Sequence, residues 1–223
     1  GTVNRDLAAL SHLFTMAEEW EWIEHKPSRI KFLKENSGRI NYLTLDEISR
    51  LIAAAEKDEN QYILPFIRIA LDTSMRRMEI LSVQIKNIDI PKRVIYIPQA
   101  KGGAREQPIT VSLASYLQNL IKQTKQDQQW LFTSPNSKSG HTVAIEKPFR
   151  RAVLRAGLDV KEVVRHTLRH SAITHLVQSG VDLPTVQRIS GHKSLSMVNR
   201  YSHQNGAHIQ AAMDKLEQKY KSN

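Results

Sequence analysis

His166-Thr-Leu-Arg169-His170, Gly191-His192 and Arg200-Tyr201-Ser-His203 follow one another within one stretch of the chain, in segments whose lengths suit two or three short helices. These residue types together suit phosphoryl transfer. The guanidinium of Arg169 presents a planar fork to two phosphate oxygens, His166 and His192 can donate hydrogen bonds or move protons, and Tyr201 carries a nucleophilic hydroxyl. A free phenol titrates at about 10, so attack at neutral pH needs neighbouring cations or a base, which the Arg-His cluster supplies. His166 and His170 lie four apart, a spacing that also suits a metal pair on one helical face. Thr167 stands where the metalloprotease motif has its Glu, and no carboxylate cluster fit for Mg²⁺ lies near, so neither a metal nor a cofactor is expected. His170 and His175 read as packed or hydrogen-bonded helix residues.

Two further cations stand upstream. Arg76 lies in Asp72-Thr-Ser-Met-Arg-Arg-Met-Glu-Ile-Leu81, at the start of a helix where backbone amides and a guanidinium together can hold a phosphate. Glu79, three residues on, pairs with a cation from the same helical face or is simply a surface carboxylate. Lys101 lies in Gln99-Ala-Lys-Gly-Gly-Ala-Arg-Glu-Gln-Pro108, a flexible hairpin from which an ammonium either reaches a substrate oxygen or stays in solvent.

The elements that must position these groups are mostly helical. Leu7, Leu10, Leu13, Phe14 and Ala17 recur at helical spacing, and Trp20, Trp22 and Ile23 extend that apolar surface. Residues 27–39 read as a polar linker, which puts a boundary near residue 41. Thr44 followed by Glu47 is a capping-box signature that opens a helix running to about residue 57. Helices are expected at about 61–72, 77–83, 113–125 and 142–156. Between them, Ile85, Ile88, Ile90, Val94, Ile95, Ile97, Ile109 and Val111 form β-branched clusters broken by Pro91-Lys92 and Gly102-Gly103. That is the pattern of a small antiparallel sheet with Lys101 at the tip of its second hairpin. Gly157, Gly180 and Gly191 fall where left-handed helix stops are expected.

Charge points to the partner. The 223 residues carry a formal charge of +10, and a basic surface attracts phosphate backbones and releases their counterions. Residues 1–40 are neutral, so the whole excess falls in the part that holds the chemical residues. The chain has no cysteine, which excludes disulfides and thiolate metal sites and makes a reducing, cytoplasmic setting the simplest one. No apolar run approaches transmembrane length and no membrane partner is expected. The chain begins inside a helix, which reads as a fragment of a longer protein.

Arg76, Lys101, His166-x-x-Arg169-His170, Gly191-His192 and Tyr201, in that order, resemble the tyrosine recombinase, or phage integrase, family of DNA strand-exchange enzymes. The resemblance runs from about Leu43 to the C-terminus, with a weaker likeness before it. It implies a mainly α fold with a small antiparallel three-stranded β-sheet, as a catalytic domain over 41–223. Residues 1–40 would be the last helix of a truncated core-binding domain plus a linker. It implies catalytic roles for Arg76, Lys101, His166, Arg169, His192 and Tyr201. Glu79 is set beside them as a support from its place one helical turn beyond Arg76. Tyr201 would attack to give a 3′-phosphotyrosyl intermediate, Lys101 would be the acid for the 5′ oxygen, and His166 would handle protons. Ser74 departs from the Gly usual two residues before the first arginine. Ile209, Met213, Leu216 and Tyr220 recur at helical spacing in a segment that packs on its own domain or docks on a neighbouring protomer. The implied partners are double-stranded DNA and further copies of the chain as a homotetramer on synapsed DNA, at the nucleoid. A type IB topoisomerase-like relaxing enzyme, a non-catalytic DNA-binding module and a metal-dependent nuclease remain as other readings.

Overall fold

The structure, a computed structural model, describes residues 2–27, 29–34, 40–100, 102–202 and 208–221. Lys101 and residues 35–39 of the expected linker thus lie outside the described residues. The chain divides into two compact units, Gly1–Arg39 and Ile40–Asn223. In the first, helix α1 (Thr2–Glu19) has the expected apolar stripe, yet none of its described residues is buried. Trp20 and Trp22 pack their rings 4.9 Å apart at its end. The Asn4 side chain exchanges two 2.8 Å hydrogen bonds with the Leu33 backbone, which ties the following segment back along the helix.

The second unit is mainly α. Helices α2 (Leu45–Glu56), α3 (Ile63–Thr73) and α4 (Arg77–Leu81) lead through a single 3₁₀ turn into strands β1 (Ile88–Asp89), β2 (Val94–Ile97) and β3 (Arg105–Pro108). The strands pair antiparallel in the order β1-β2-β3, with Ile95 opposite both Ile88 and Gln107. Helices α5 (Val111–Lys122), α6 (Glu146–Arg155), α7 (Arg165–Gln178), α8 (Leu183–Ser190), α9 (Leu195–Asn199) and α10 (His208–Lys221) follow. Among the described residues no helix is long and apolar enough to cross a membrane.

Local chemistry explains the boundaries. The Thr44 hydroxyl accepts the Glu47 amide while the Glu47 carboxylate accepts the Thr44 amide, the reciprocal box that starts α2. Helix α5 opens at Val111 because Thr110 caps the Leu113 amide, so Val111 is helical and the third strand is the polar Arg-Glu-Gln-Pro run instead. Helix α6 opens only at Glu146: the Thr142 amide is taken by the Phe132 carbonyl at 2.7 Å, which holds residues 141–142 extended.

Two hydrophobic cores meet along α7. The larger gathers Leu51, Phe66, Ile67, Ile80, Leu81, Ile95, Leu117, Phe132 and Val153, and Leu168 of α7 belongs to it. The smaller holds Ile40, Ile173, Val177, Val186, Val198 and Tyr201. Helix α7 is therefore buried on two sides, and its polar Thr167, Arg169, Ser171 and Thr174 are buried as well. Ser171 shows how such groups are satisfied: its hydroxyl accepts the Leu43 amide and donates to the Thr167 carbonyl, each at 2.8 Å. His175 bonds the Leu43 carbonyl at 2.9 Å.

Ser74 ends α3 in the left-handed region, at φ 55° and ψ 18°. Its side chain is fully buried, and its hydroxyl finds no hydrogen-bond partner among the described residues. A Cβ in this conformation costs about 1–2 kcal/mol, and glycine's greater freedom in the unfolded chain gives back roughly 0.5–1 kcal/mol. Ser74→Gly is expected to raise stability by up to about 1 kcal/mol in urea denaturation. A loss of stability would mean that the hydroxyl, not the turn, determines this position.

Candidate active site

Four separate parts of the chain converge on one cluster of cations. Arg76 is the N-cap of α4 in extended geometry, which sends its side chain back over the helix start. Glu79 accepts the Arg76 amide at 3.0 Å and the Arg76 guanidinium at 2.9 Å. Its other neighbour comes from the sheet: Arg105 on β3 donates to the same carboxylate at 3.1 Å. Glu79 is thus buried, at 7 % exposure, not the surface carboxylate that was the other reading. Burial pushes its pKa up, but the Arg76 amide, Arg105 and the Arg76 guanidinium outweigh that, so the carboxyl titrates below its ordinary value.

Both arginines also reach the C-terminal end of α8. Arg76 donates to the Gly191 carbonyl at 2.9 Å, and Arg105 donates to Gln107 and, at 3.4 Å, to the Ile189 carbonyl. Gly191 stops α8 with φ 64°, and a Cβ there would meet the Arg105 Nε at 2.9 Å. The backbone angle favours glycine, and a Cβ here would also displace the Arg105 guanidinium.

Arg169 is the deepest of the cations, at 4 % exposure. It donates to the Ser74 carbonyl, which the left-handed turn aims at it, and at 3.2 Å to the Nε2 of His192. Burial, then Arg76, lowers its pKa to about 10, with Glu79 and Tyr201 opposing, so it remains a cation at neutral pH. A guanidinium has only donors, so His192 Nε2 accepts and its proton sits on Nδ1. That proton goes to the Ser190 hydroxyl at 2.7 Å, and Ser190 in turn donates to the Val186 carbonyl at 2.7 Å. One chain of donors therefore fixes the imidazole from α8.

Tyr201 follows α9, and its ring belongs to the smaller core at 1 % exposure. Its hydroxyl lies 2.6 Å from His170 Nδ1. Burial raises the phenol's pKa, against Arg169 and Arg200. His166 stands edge-on to His170 with ring centroids 4.5 Å apart, as residues one helical turn apart can. The structure thus brings Arg76, Glu79, His166, Arg169, His192 and Tyr201 together, while Lys101 lies outside the described residues. Sequence reasoning missed Arg105 and the contact of His170 with Tyr201. The four-residue spacing from His166 was the available signal for His170. Arg105 had none beyond its place four residues after Lys101.

Open clefts flank the cluster. One of about 540 Å³ lies between the hairpin and Gly191, His192 and Lys193, and another of about 450 Å³ is lined by Arg76, Arg77, Arg165, His166 and Arg169. Both present positive charge to the same site. Among the described residues, no three His, Asp or Glu side chains are grouped to hold a metal ion.

The histidines are neutral in this setting. Burial, then the adjacent cations and histidines, pushes His170 and His192 down to about 4 and His166 below its ordinary value. Between about 6.5 and about 4 the unfolded chain therefore binds more protons than the folded one. Stability should fall as the pH is lowered through that window, and His170→Asn or His192→Asn should each make the decline shallower in denaturation measured at successive pH values. A wild-type stability that stays flat across it contradicts the packing described here.

Comparison with known proteins agrees with the fold. A model of the phage integrase family matches residues 41–208. The shufflon-specific DNA recombinase of Escherichia coli is 29 % identical over 206 residues, which are 91 % of this chain and 50 % of that protein. The tyrosine recombinase XerA of Pyrococcus furiosus is 26 % identical over 221 residues, 96 % of this chain and 73 % of that one. The chain thus spans only half to about three quarters of these relatives. Among solved structures, the Tn1549 transposon integrase in complex with transposon right-end DNA superposes with a TM-score of 0.80 at 23 % identity, over 97 % of this chain and 79 % of that one. The crystal structure of XerA recombinase gives a TM-score of 0.62 at 26 % identity, over 82 % and 66 %. The chain belongs to the phage integrase family.

Proposed function

We propose that this chain is the catalytic part of a site-specific DNA recombinase, an integrase that cleaves and rejoins double-stranded DNA of a mobile element through a 3′-phosphotyrosyl intermediate. The observation that carries the reading is the gathering of Arg76 and Arg169 on one cleft, with His192 held by Arg169 at 3.2 Å and the ring of Tyr201 6.4 Å from that of His192. The recombinase named in Escherichia coli and the integrase complexed with transposon DNA support strand exchange over simple relaxation of supercoils.

The roles are those that the family resemblance implies, set on this geometry. Arg76 and Arg169 take the non-bridging oxygens of the scissile phosphate, exchanging protein carbonyls for phosphate oxygens. His192 joins them once its Nε2 turns from acceptor to donor, either by the other tautomer or by protonation as the phosphate's charge arrives. A preorganised donor of this kind is worth about 3–4 kcal/mol in the transition state. Glu79 holds Arg76 in place. Tyr201 attacks phosphorus, the 5′ oxygen leaves with a proton for which Lys101 is the proposed donor, and His166 assists proton transfer from the tyrosine. The phosphoester energy is kept in the Tyr201–phosphate bond, so a 5′ hydroxyl from a partner duplex can reverse the step without nucleotide.

Residues 1–40 are, on this reading, the last helix of a core-binding domain with its linker, consistent with an α1 that buries none of its described residues. Met213, Leu216 and Tyr220 of α10 are exposed, which suits docking on a neighbouring protomer of a homotetramer on synapsed DNA. Such an enzyme works at the nucleoid, in the cytoplasm.

A pool of nicked duplexes randomised around the nick, incubated in excess chelator and resolved on a denaturing gel, tests the chemistry. Wild type should form a covalent protein–DNA adduct and Tyr201→Phe none. An adduct with both proteins, or with neither, counts against this function.

A further inference from the structure

We propose that His170 is the group that takes the proton of Tyr201 as the phenol attacks, which makes it a catalytic residue of the reaction. The proposal rests on the recombinase reading above and changes one role in it: proton transfer from the tyrosine moves from His166 to its neighbour one turn on.

Contact favours His170. Its Nδ1 lies 2.6 Å from the Tyr201 hydroxyl, the one hydrogen bond to that oxygen among the described residues. The tyrosine ring is set in the smaller core with Ile173, Val177 and Val198, so packing fixes where its hydroxyl sits. A phenol shut off from water has to release its proton to a hydrogen-bonded neighbour as the new O–P bond forms. His166 touches that system through the His170 ring, edge-on at 4.5 Å.

The electrical setting keeps the imidazole unprotonated and, with a pKa of about 4, a weak base until the charge of a substrate arrives. His166 and Arg169 face His170 from its own helix, and Tyr201, Arg200 and His192 face it from the segments packed against α7. With burial first and these groups after it, the imidazole stays neutral at neutral pH, and in the tautomer with its proton on Nε2 the Nδ1 lone pair meets the tyrosine proton. A phosphate held by Arg76 and Arg169 offsets the surrounding positive charge and raises the basicity of His170. The ring therefore becomes a competent base when substrate is in place.

In the step, a lone pair of the Tyr201 oxygen forms the bond to phosphorus and the P–O5′ bond breaks. The tyrosine proton passes to His170 Nδ1, giving an imidazolium, and the leaving oxygen takes a proton from the cationic donor proposed as Lys101. Resealing reverses each transfer, His170 returning its proton to the tyrosine oxygen as it leaves.

The test compares single-turnover adduct formation on the nicked-duplex pool, as a function of pH, for wild type, His170→Asn, His170→Ala and His166→Asn. Thermal melts confirm that each variant is folded, and the ¹³Cζ resonance of Tyr201, assigned with Tyr201→Phe, reports whether the hydroxyl keeps its place. Asparagine offers an oxygen where Nδ1 stood but cannot take a proton. His170→Asn should therefore keep the tyrosine resonance near that of wild type while slowing adduct formation by about 10²- to 10⁴-fold. It should also remove the acid limb of the pH profile, which His166→Asn should retain. A His170→Asn rate within a few-fold of wild type, or an acid limb that disappears with His166 instead, overturns the proposal and leaves the recombinase reading intact. No adduct from wild type on any DNA removes that reading and the proposal together.

Discussion

The site depends on one buried carboxylate. Glu79 joins Arg76 from its own helix and Arg105 from the sheet, and it opposes the charge of the buried Arg169 as well. Cations packed this closely and largely out of water repel one another strongly, and a single well-bonded carboxylate lowers that cost while fixing two of the guanidiniums. Three arginines around one glutamate, with the histidines neutral, leave an excess of positive charge, to which Arg77 and Arg165 add where they line the cleft. A pentavalent phosphorane carries two negative oxygens where the bound diester shares one charge, so on the proposed chemistry the transition state gains more from this excess than the bound diester does.

The rest of the fold serves this arrangement by bringing distant segments to Glu79 and Arg169. Helix α7 runs between the two cores, and its buried faces leave Arg169 able to reach the Ser74 carbonyl on one side and His192 on the other. Gly191 lets the turn after α8 approach Arg105 closely enough to present its carbonyl to Arg76. Tyr201 is anchored by the same small core that receives Ile173 and Val177 of α7, so the proposed nucleophile and the arginine share one support.

Much of this was legible from residue order and type. The capping box at Thr44 and Glu47, the helical periods and the glycine stops at 157, 180 and 191 are local signals, and each appears in the structure where local chemistry puts it. The third strand was not legible, because Arg-Glu-Gln-Pro is set by its pairing with Val94–Ile97 and not by its own β propensity. Burial of Glu79 was equally hidden: its partner Arg105 lies 26 residues away and on a strand. Helix α7 hides its polarity in the same way, since burial on two sides erases the one-faced pattern that periodicity detects. The contact of His170 with Tyr201 was hidden as well, because a histidine one turn from another reads as ordinary packing until its neighbour is known.

The central claim is that Tyr201 carries the DNA. Mass spectrometry of the nuclease-trimmed protein–DNA adduct locates the bond directly. The account predicts the mass of a 3′-phosphonucleotide on the peptide containing Tyr201 and on no other peptide. A nucleotide mapped to any other residue, including one of the remaining tyrosines, would contradict it.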